Sequence, residues 1–282
     1  MPIVSFWSNT RKETAQTLSM LAIASHMAVE NNTKILIVDM NPNDRTIQTA
    51  FFKERVTATQ RAIKQLSAGK MDIDSGIEGL SKLIASGKNS GELITDYSRV
   101  IFSGRLEAIL SLITNNPAEY ERVKGTYKDL VKLASQQYDY VFVDVPKGIG
   151  DPVVEDVLNA SDVIVFNITQ RQFDIEDYVA LKKGNAIFNT NKVLPLVGRY
   201  DRFSKYNKKN IARDIGERKE IPAVSYNTLF FESANEGELG SFFLKFRKSL
   251  ISSTDRNMGF VEEVASTAER LVYKVKEVEM MR

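Results

Sequence analysis

The sequence predicts a doubly wound α/β protein, in which helices cover both faces of a mainly parallel sheet. Short apolar runs alternate with longer amphipathic stretches along almost the whole chain, and this alternation is typical of parallel sheets. The apolar runs are continuous, as strands buried on both faces require. The predicted strands are Ile3–Trp7, Lys34–Asp39, Tyr140–Asp144, Val163–Asn167, Lys192–Val197 and Ala223–Tyr226.

Amphipathic stretches between these runs predict the helices. In the first helix, Leu18, Leu21, Ala22, Ser25, Ala28 and Val29 fall on one face. Further helices are predicted at about 75–87, 118–135, 173–186, 205–217, 239–251 and 259–280. His26 lies in the middle of the first helix and is interpreted as structural.

Composition narrows the class of protein. The 282 residues include 38 basic and 36 acidic side chains and are 43% hydrophobic, which argues against a disordered, collagen-like or membrane-spanning chain. The longest apolar runs are shorter than the roughly 18 residues of a spanning helix, and the start shows no secretory leader pattern, so we expect a cytoplasmic protein. No cysteine and a single histidine exclude disulfides and the usual zinc or Ser-His-Asp sites.

The chain shows no linker, so we expect one domain over 1–282. The least regular part, at about 53–105, is interpreted as an elaboration of mixed helix and loop within that domain. The last helix, at about 259–280, has apolar residues at alternating three- and four-residue steps, the spacing of a packed seam. Its five acidic and five basic residues over 256–282 favour packing or dimerisation over membrane binding.

Polar residues follow three of the predicted strands. Trp7 is followed by SNTRKET, the second strand ends in Asp39-Met40-Asn41-Pro42, and the central strand ends in Asp144-Val145-Pro146-Lys147-Gly148. Right-handed crossovers bring these turns to one edge of the sheet, where ligands of doubly wound proteins bind. The candidate site is therefore expected at this edge.

These turns resemble those of the deviant Walker A P-loop ATPases, the ParA/MinD family. The family pattern is K-G-G-x-G-K-T-T in the first loop, D-x-D-P after the second strand and D-x-P-x-G after the switch strand. Here the second and third motifs read VDMNP and VDVPKG, and DPVVEDVLNASDVIVF resembles the segment that follows them. The resemblance covers residues 1 to about 250 and implies a P-loop NTPase-like fold, ATP and Mg²⁺ as cofactors, and a homodimer.

The same resemblance implies the site residues. Aligned on Lys12, the phosphate-binding positions are Asn9, Thr10, Arg11, Lys12, Glu13 and Thr14. Asp39 is the candidate catalytic residue, and Asp144 with Thr14 would hold Mg²⁺. Two alternatives stay open: Lys12 is an exposed first-turn lysine, and the two aspartates cap a turn or helix.

The first loop departs from the family pattern. Ser8, Asn9 and Arg11 stand where the family has glycines, which permit close approach of backbone amides to phosphate. Glu13 stands at a hydroxyl position, and Trp7 replaces the signature lysine. We expect Trp7 to fill space that a nucleotide or that lysine would occupy.

Two positions later in the sequence also differ from the family pattern. Asn41 replaces a second aspartate, and Gly198-Arg199 follows the strand where the family supplies an adenine-binding side chain. Because hydrolysis needs a positioned water, a metal and charge stabilisation together, we expect ATP hydrolysis to be weak or absent.

Residues 199–219 form a basic segment with eight basic and three acidic residues, interleaved with Tyr200, Phe203 and Tyr206. It is either a solvated helix face or a contact for nucleic acid, an acidic partner or an anionic membrane surface.

By resemblance, the expected function is that of a cytoplasmic spatial organiser. VGRYDRFSKYNKKNI and VSYNTLFFESANEG are most similar to the TadZ/CpaE-like branch, which positions pilus-assembly and related secretion machinery. The organiser would recruit a protein partner in a pilus, secretion or conjugation assembly. The alternatives are an active ParA-type plasmid or chromosome partition ATPase that binds DNA as a dimer, and a small-molecule enzyme on the same scaffold.

Overall fold

The computed structural model describes residues 1–9, 13–53, 76–88, 90–247 and 255–281. Its strands are β1 Ile3–Trp7, β2 Ile35–Asp39, β3 Arg99–Phe102, β4 Leu106–Ile109, β5 Tyr140–Asp144, β6 Val163–Ile168, β7 Val193–Tyr200 and β8 Ala223–Ser225. They form one sheet in the order β3-β4-β2-β5-β1-β6-β7-β8. Neighbouring strands pair in parallel except β3, which pairs with β4 in the antiparallel sense.

Helices cover both faces of this sheet. They are α1 Gln16–Glu30, α2 Thr46–Phe51, α3 Ile77–Ala85, α4 Glu92–Tyr97, α5 Pro117–Lys124, α6 Tyr127–Ala134, α7 Pro152–Ala160, α8 Gln172–Gly184, α9 Lys208–Asp214, α10 Thr228–Asn235, α11 Leu239–Lys245 and α12 Arg256–Glu279. The core on one face takes side chains from α3 to α9, and the core on the other face takes them from α1, α2 and α10 to α12. The doubly wound α/β prediction is confirmed.

Burial explains why the central strands form where they do. Every residue of β1, β2 and β6 is buried, because each of these strands has a neighbour on both sides and helices above and below. Such strands need apolar residues at consecutive positions rather than in alternation.

Two strands were not predicted. β3 lies within the segment interpreted as mixed helix and loop, so residues 99–102 of that elaboration are strand, and β4 follows just beyond it. In β4 a carboxylate, Glu107, interrupts the apolar run but is only 5% exposed. It accepts hydrogen bonds from the hydroxyls of Tyr138, at 2.5 Å, and Ser98, at 2.6 Å. Residues 54–75 and 89 of the predicted elaboration lie outside the described residues.

Several helix boundaries also differ from the prediction. The helix predicted at 118–135 is two helices, α5 and α6, separated at Gly125 and Thr126. The Asn116 side chain caps α5 by accepting from the Ala118 amide at 3.0 Å. The helix predicted at 239–251 ends at Lys245, and residues 248–254 lie outside the described part. The short helices α2, α4 and α10 were not predicted.

The long helix α12 packs against α1 and β8. Its seam residues Val264, Leu271 and Val275 are buried in the same core as α1. The Thr267 hydroxyl donates to the Ala223 carbonyl of β8 at 2.8 Å. In the described part of the chain, no helix has the length and apolar character needed to cross a bilayer.

Candidate functional site

Asp39 and Asp144 stand side by side at the carboxyl edge of the sheet. They end the neighbouring strands β2 and β5 and are register partners. The exposed fractions are 1% for Asp39 and 0% for Asp144. The sequence placed both carboxylates at this edge, and the structure brings them together in its interior.

Burial controls the protonation of Asp39. Burial, followed by the neighbouring Asp144 charge, raises the pKa of the Asp39 carboxyl well above its usual range. Asn41 opposes this effect, because its backbone N–H and its side-chain Nδ2 donate to Asp39 Oδ1 at 2.9 and 3.0 Å. Asn41 Nδ2 also donates to the Asp144 carbonyl at 3.1 Å. The Asn41 Oδ1 atom is buried and has no hydrogen-bond partner among the described residues.

The first turn of α1 binds the Asp144 carboxylate. The Thr17 hydroxyl donates to Asp144 Oδ2 at 2.6 Å, and the Gln16 amide Nε2 donates to Asp144 Oδ1 at 2.6 Å. These contacts join residues that are 127 and 128 positions apart in the sequence. The helix N-terminus is therefore attached to β5 through two side chains that the sequence analysis did not single out.

The Gln16 side chain is fully engaged within the protein. It is 2% exposed. Besides Asp144, its Nε2 lies 2.9 Å from both the Phe6 and the Val145 carbonyl oxygens, and its Oε1 accepts from the Ser8 hydroxyl at 2.8 Å. An amide nitrogen carries two hydrogens, so three acceptors surround a group with two donors.

The backbone before α1 packs tightly against β7. Ala15 has φ 49°, in the left-handed region, and Thr14 is completely buried. A Cβ added at Gly198 would lie 1.8 Å from the Thr14 carbonyl oxygen, so only glycine allows this approach. β7 runs through Gly198 and Arg199 to Tyr200, so the two residues predicted to follow the strand belong to it.

The described ends of the first loop contact α8. Asn9 Nδ2 donates to Asp177 Oδ2 at 2.5 Å, and Glu13 forms an ion pair with Arg171. The Glu13 side chain is 55% exposed. Thr10, Arg11 and Lys12 lie outside the described residues, so the structure places only Asn9, Glu13 and Thr14 of the predicted phosphate-binding positions.

Trp7 is a core residue. Its ring is completely buried, stacks on Phe188 at a centroid distance of 4.9 Å and meets the edge of Phe166 at 5.0 Å. These contacts do not test the expectation that Trp7 fills space that a nucleotide or the signature lysine would occupy, which stays a prediction. Its place at the end of a continuous apolar strand already indicated burial. His26 is also buried, within α1.

The basic segment 199–219 divides into paired and exposed groups. Lys208 pairs with Glu263 at 2.5 Å, and Glu217 pairs with Lys182 at 2.7 Å. Tyr200 is buried, whereas Phe203 is 83% exposed. The segment is therefore partly a structural surface. Its exposed basic side chains lie in the loop that contains Phe203 and also in and after α9, at Lys209, Arg213, Arg218 and Lys219.

Gln16 and Thr17 have a signal in the sequence that alignment on Lys12 hides. In a P-loop, G-x-x-x-x-G-K-[ST], the lysine and the hydroxyl residue stand at the start of the helix. The helix here starts at Gln16, four residues after Lys12. Locating the helix start, rather than matching a lysine, would have singled out both residues.

Comparison with known proteins was made by sequence and by structure. No protein-family model and no curated protein matches the sequence. A ParA family ATPase from Chlorobium tepidum TLS matches in structure with a TM-score of 0.65 and 16% identity, over 95% of this chain and 97% of that one. The chain has the ParA/MinD fold.

Two further structures support this assignment of the ParA/MinD fold. The septum site-determining protein MinD of Pyrococcus horikoshii OT3, complexed with Mg-ADP, gives a TM-score of 0.62 at 12% identity, over 96% of this chain and 97% of that one. A plasmid partition protein from Borrelia burgdorferi B31, bound to AMPPNP, gives a TM-score of 0.56 at 14% identity. The match covers 99% of this chain and 98% of that one. At these identities the likeness establishes the fold.

Proposed function

We propose that this chain is a cytoplasmic spatial organiser with a degenerate P-loop, which acts as a homodimer and hydrolyses ATP weakly or not at all. It positions a pilus, secretion or conjugation assembly through a protein partner, as in the TadZ/CpaE-like branch, and its 282 residues form one domain. The observation that carries the proposal is the neutral, fully hydrogen-bonded Gln16 side chain at the start of α1.

The proposal assigns Gln16 and Thr17 to the last two positions of the P-loop. In P-loop NTPases the loop Ser or Thr and an aspartate hold Mg²⁺ together. The Thr17 hydroxyl donates to Asp144, the candidate aspartate. The earlier candidate Thr14 is completely buried, with its carbonyl against Gly198 of β7. In this register Gln16 takes the place of the lysine and Arg11 that of the signature lysine.

The oxygen atoms at this edge fit a magnesium ion. Asp39, Asp144 and the Thr17 hydroxyl supply oxygen ligands of the kind that Mg²⁺ prefers, and the unpartnered Asn41 Oδ1 adds a fourth. A divalent cation would also offset the two effects that raise the pKa of Asp39, namely burial first and then repulsion from Asp144. When bound, Mg²⁺ would neutralise negative charge on the carboxylates at this edge of the sheet.

A triphosphate fits the same residues poorly. The P-loop lysine binds the β- and γ-phosphates, but Gln16 is neutral and its amide hydrogens are directed to Asp144 and to carbonyl oxygens. Asp177, which accepts from Asn9, and Asp144, which accepts from Gln16 and Thr17, place carboxylates beside the loop, and the ion pair of Glu13 with Arg171 adds no net charge. Without a cation at position 16, tight ATP binding and fast turnover are not expected.

ATP titration calorimetry with and without Mg²⁺, combined with hydrolysis assays with and without DNA, tests the nucleotide part of the proposal. We expect millimolar or weaker ATP affinity and no DNA-stimulated turnover. Micromolar ATP affinity, with turnover that Lys12→Ala abolishes, would overturn the degenerate site. The organiser role is tested by imaging the tagged chain, which should form discrete foci that coincide with a pilus or secretion apparatus.

The second candidate is a partition ATPase that binds DNA. The structural likeness to the Borrelia plasmid partition protein and the exposed part of the basic segment favour it. DNA affinity that falls steeply with salt would support this function. Charge reversal at the exposed Arg202 and Lys209 should then weaken binding, whereas reversal at Lys208, which pairs with Glu263, should weaken it less.

A further inference from the structure

Helix α8 presents an exposed stripe that contains both signs of charge. Phe173, Glu176, Ala180 and Lys183 are exposed and recur every three or four residues, so they share one face. Glu176 accepts a hydrogen bond from Gln172 at 2.7 Å. Within the described part of the chain, neither Glu176 nor Lys183 forms an ion pair. Among the described residues, the stripe therefore carries one anion, Glu176, and one cation, Lys183, that are not engaged in ion pairs.

A groove runs beside this stripe, between α8 and the segment that contains α9. It consists of two adjoining depressions of about 470 and 410 Å³, and Val179 lines both of them. Glu176 and Asp214 line the depression nearer the carboxyl edge, and Lys182 and Lys183 line the other. One end of the groove is thus acidic and the other basic.

The charges on α8 are symmetrically placed. Glu176 and Lys183 are seven residues apart, which corresponds to about two turns and roughly 10 Å of helix. Their midpoint falls between Val179 and Ala180. A two-fold axis through this point, perpendicular to the helix, would place Glu176 of one copy against Lys183 of the other at both ends of the contact.

We propose that a second copy of this chain docks here, with the two α8 helices antiparallel about that axis. The exposed ridge of each α8 would lie in the groove beside the other α8, as in ridges-into-grooves packing. Ala180, at the centre, has a side chain small enough for the helices to approach closely. The inference rests on the homodimer in the proposed function and specifies its face.

The test is a charge exchange between two single variants, followed by analytical ultracentrifugation. Glu176→Lys makes both facing residues positive and Lys183→Glu makes both negative, so each variant alone should dimerise at least about tenfold more weakly than the wild type. In an equimolar mixture, each contact would again join opposite charges. The mixture should therefore recover dimerisation close to that of the wild type.

Glu236→Lys, on an exposed residue after α10, is the matched control and should leave the wild-type dimer unchanged. A wild-type dimer that neither α8 variant weakens would overturn this face while leaving a homodimer in place. A wild-type chain that is monomeric at all concentrations would overturn both. If the α8 variants still dimerise but no longer bind a different protein, the groove is the binding site of that protein. This outcome would also contradict the proposal.

Discussion

The Thr17 hydroxyl donates to the Asp144 carboxylate across 2.6 Å and so joins the first turn of α1 to the end of β5. In P-loop proteins a hydroxyl and an aspartate in these roles hold Mg²⁺. The contact therefore gives a direct way to test the proposed P-loop register, in which Gln16 and Thr17 take the last two positions.

Thr17→Val should lower the free energy of unfolding by about 1.5 kcal/mol, because it removes a hydrogen bond to a charged acceptor. It should also abolish any stabilisation by Mg²⁺. Denaturant unfolding with and without Mg²⁺ measures both effects. Thr14→Val is the matched control and should retain the response to Mg²⁺. A response that is lost in Thr14→Val but kept in Thr17→Val would support the register aligned on Lys12.

Gln16→Lys should raise the affinity for Mg-ATP about tenfold or more, since a positive charge at this position interacts directly with phosphate. An ammonium group also has three donors for the three surrounding acceptors. Titration calorimetry measures the gain. Gln16→Met, which has similar length but no charge, should show no gain and reduced stability. Unchanged affinity in Gln16→Lys would argue against the assignment of Gln16 to the lysine position.

Asp39→Asn should raise the free energy of unfolding at pH 7. The raised pKa means that the folded protein holds this proton more tightly than the unfolded chain. The associated stability is present below the unfolded pKa, near 4, and is lost as the pH rises through the higher folded pKa. Unfolding curves between pH 4 and 8 should therefore decline less with pH in Asp39→Asn than in the wild type. The exposed Glu236→Gln serves as control, and identical pH profiles for the wild type and Asp39→Asn would contradict the prediction.

Gly198→Ala should destabilise the protein by about 1–3 kcal/mol, because the new methyl group would overlap the Thr14 carbonyl. Gly259→Ala, at an open helical position in α12, is the matched control and should be neutral or stabilising by about 0.5–1 kcal/mol. Thermal unfolding of both variants measures the difference. Equal melting temperatures would show that the loop can move away from β7.

The parts of the fold that sequence predicts best are those where one physical requirement dominates. β1 and β5 were predicted with the observed bounds, because burial on both faces demands a continuous apolar run. β4 was missed because Glu107 interrupts its run, and the Tyr138 and Ser98 hydroxyls that satisfy this carboxylate are not adjacent to it in sequence. Hydrogen-bond partners of this kind become visible only in the folded chain.

The sequence predicted the candidate site in part, where topology alone decides which residues meet. The pairing of Asp39 with Asp144 follows from topology, since neighbouring parallel strands end at one edge. Gln16 and Thr17 were missed because α1 begins after Ala15 in a left-handed conformation, with no side-chain cap to mark its start. Motif matching then favoured Lys12 over the residues that contact Asp144.

The position of β1 constrains how the protein assembles during synthesis. The first strand of the chain pairs with β5 and β6, more than 130 residues later. At about 5–20 residues per second, the ribosome needs on the order of ten seconds or more to pass from β1 to the end of β6 at Ile168. Until β5 is made, β1 lacks both of the strands with which it pairs, so its apolar residues stay uncovered and open to aggregation for that time.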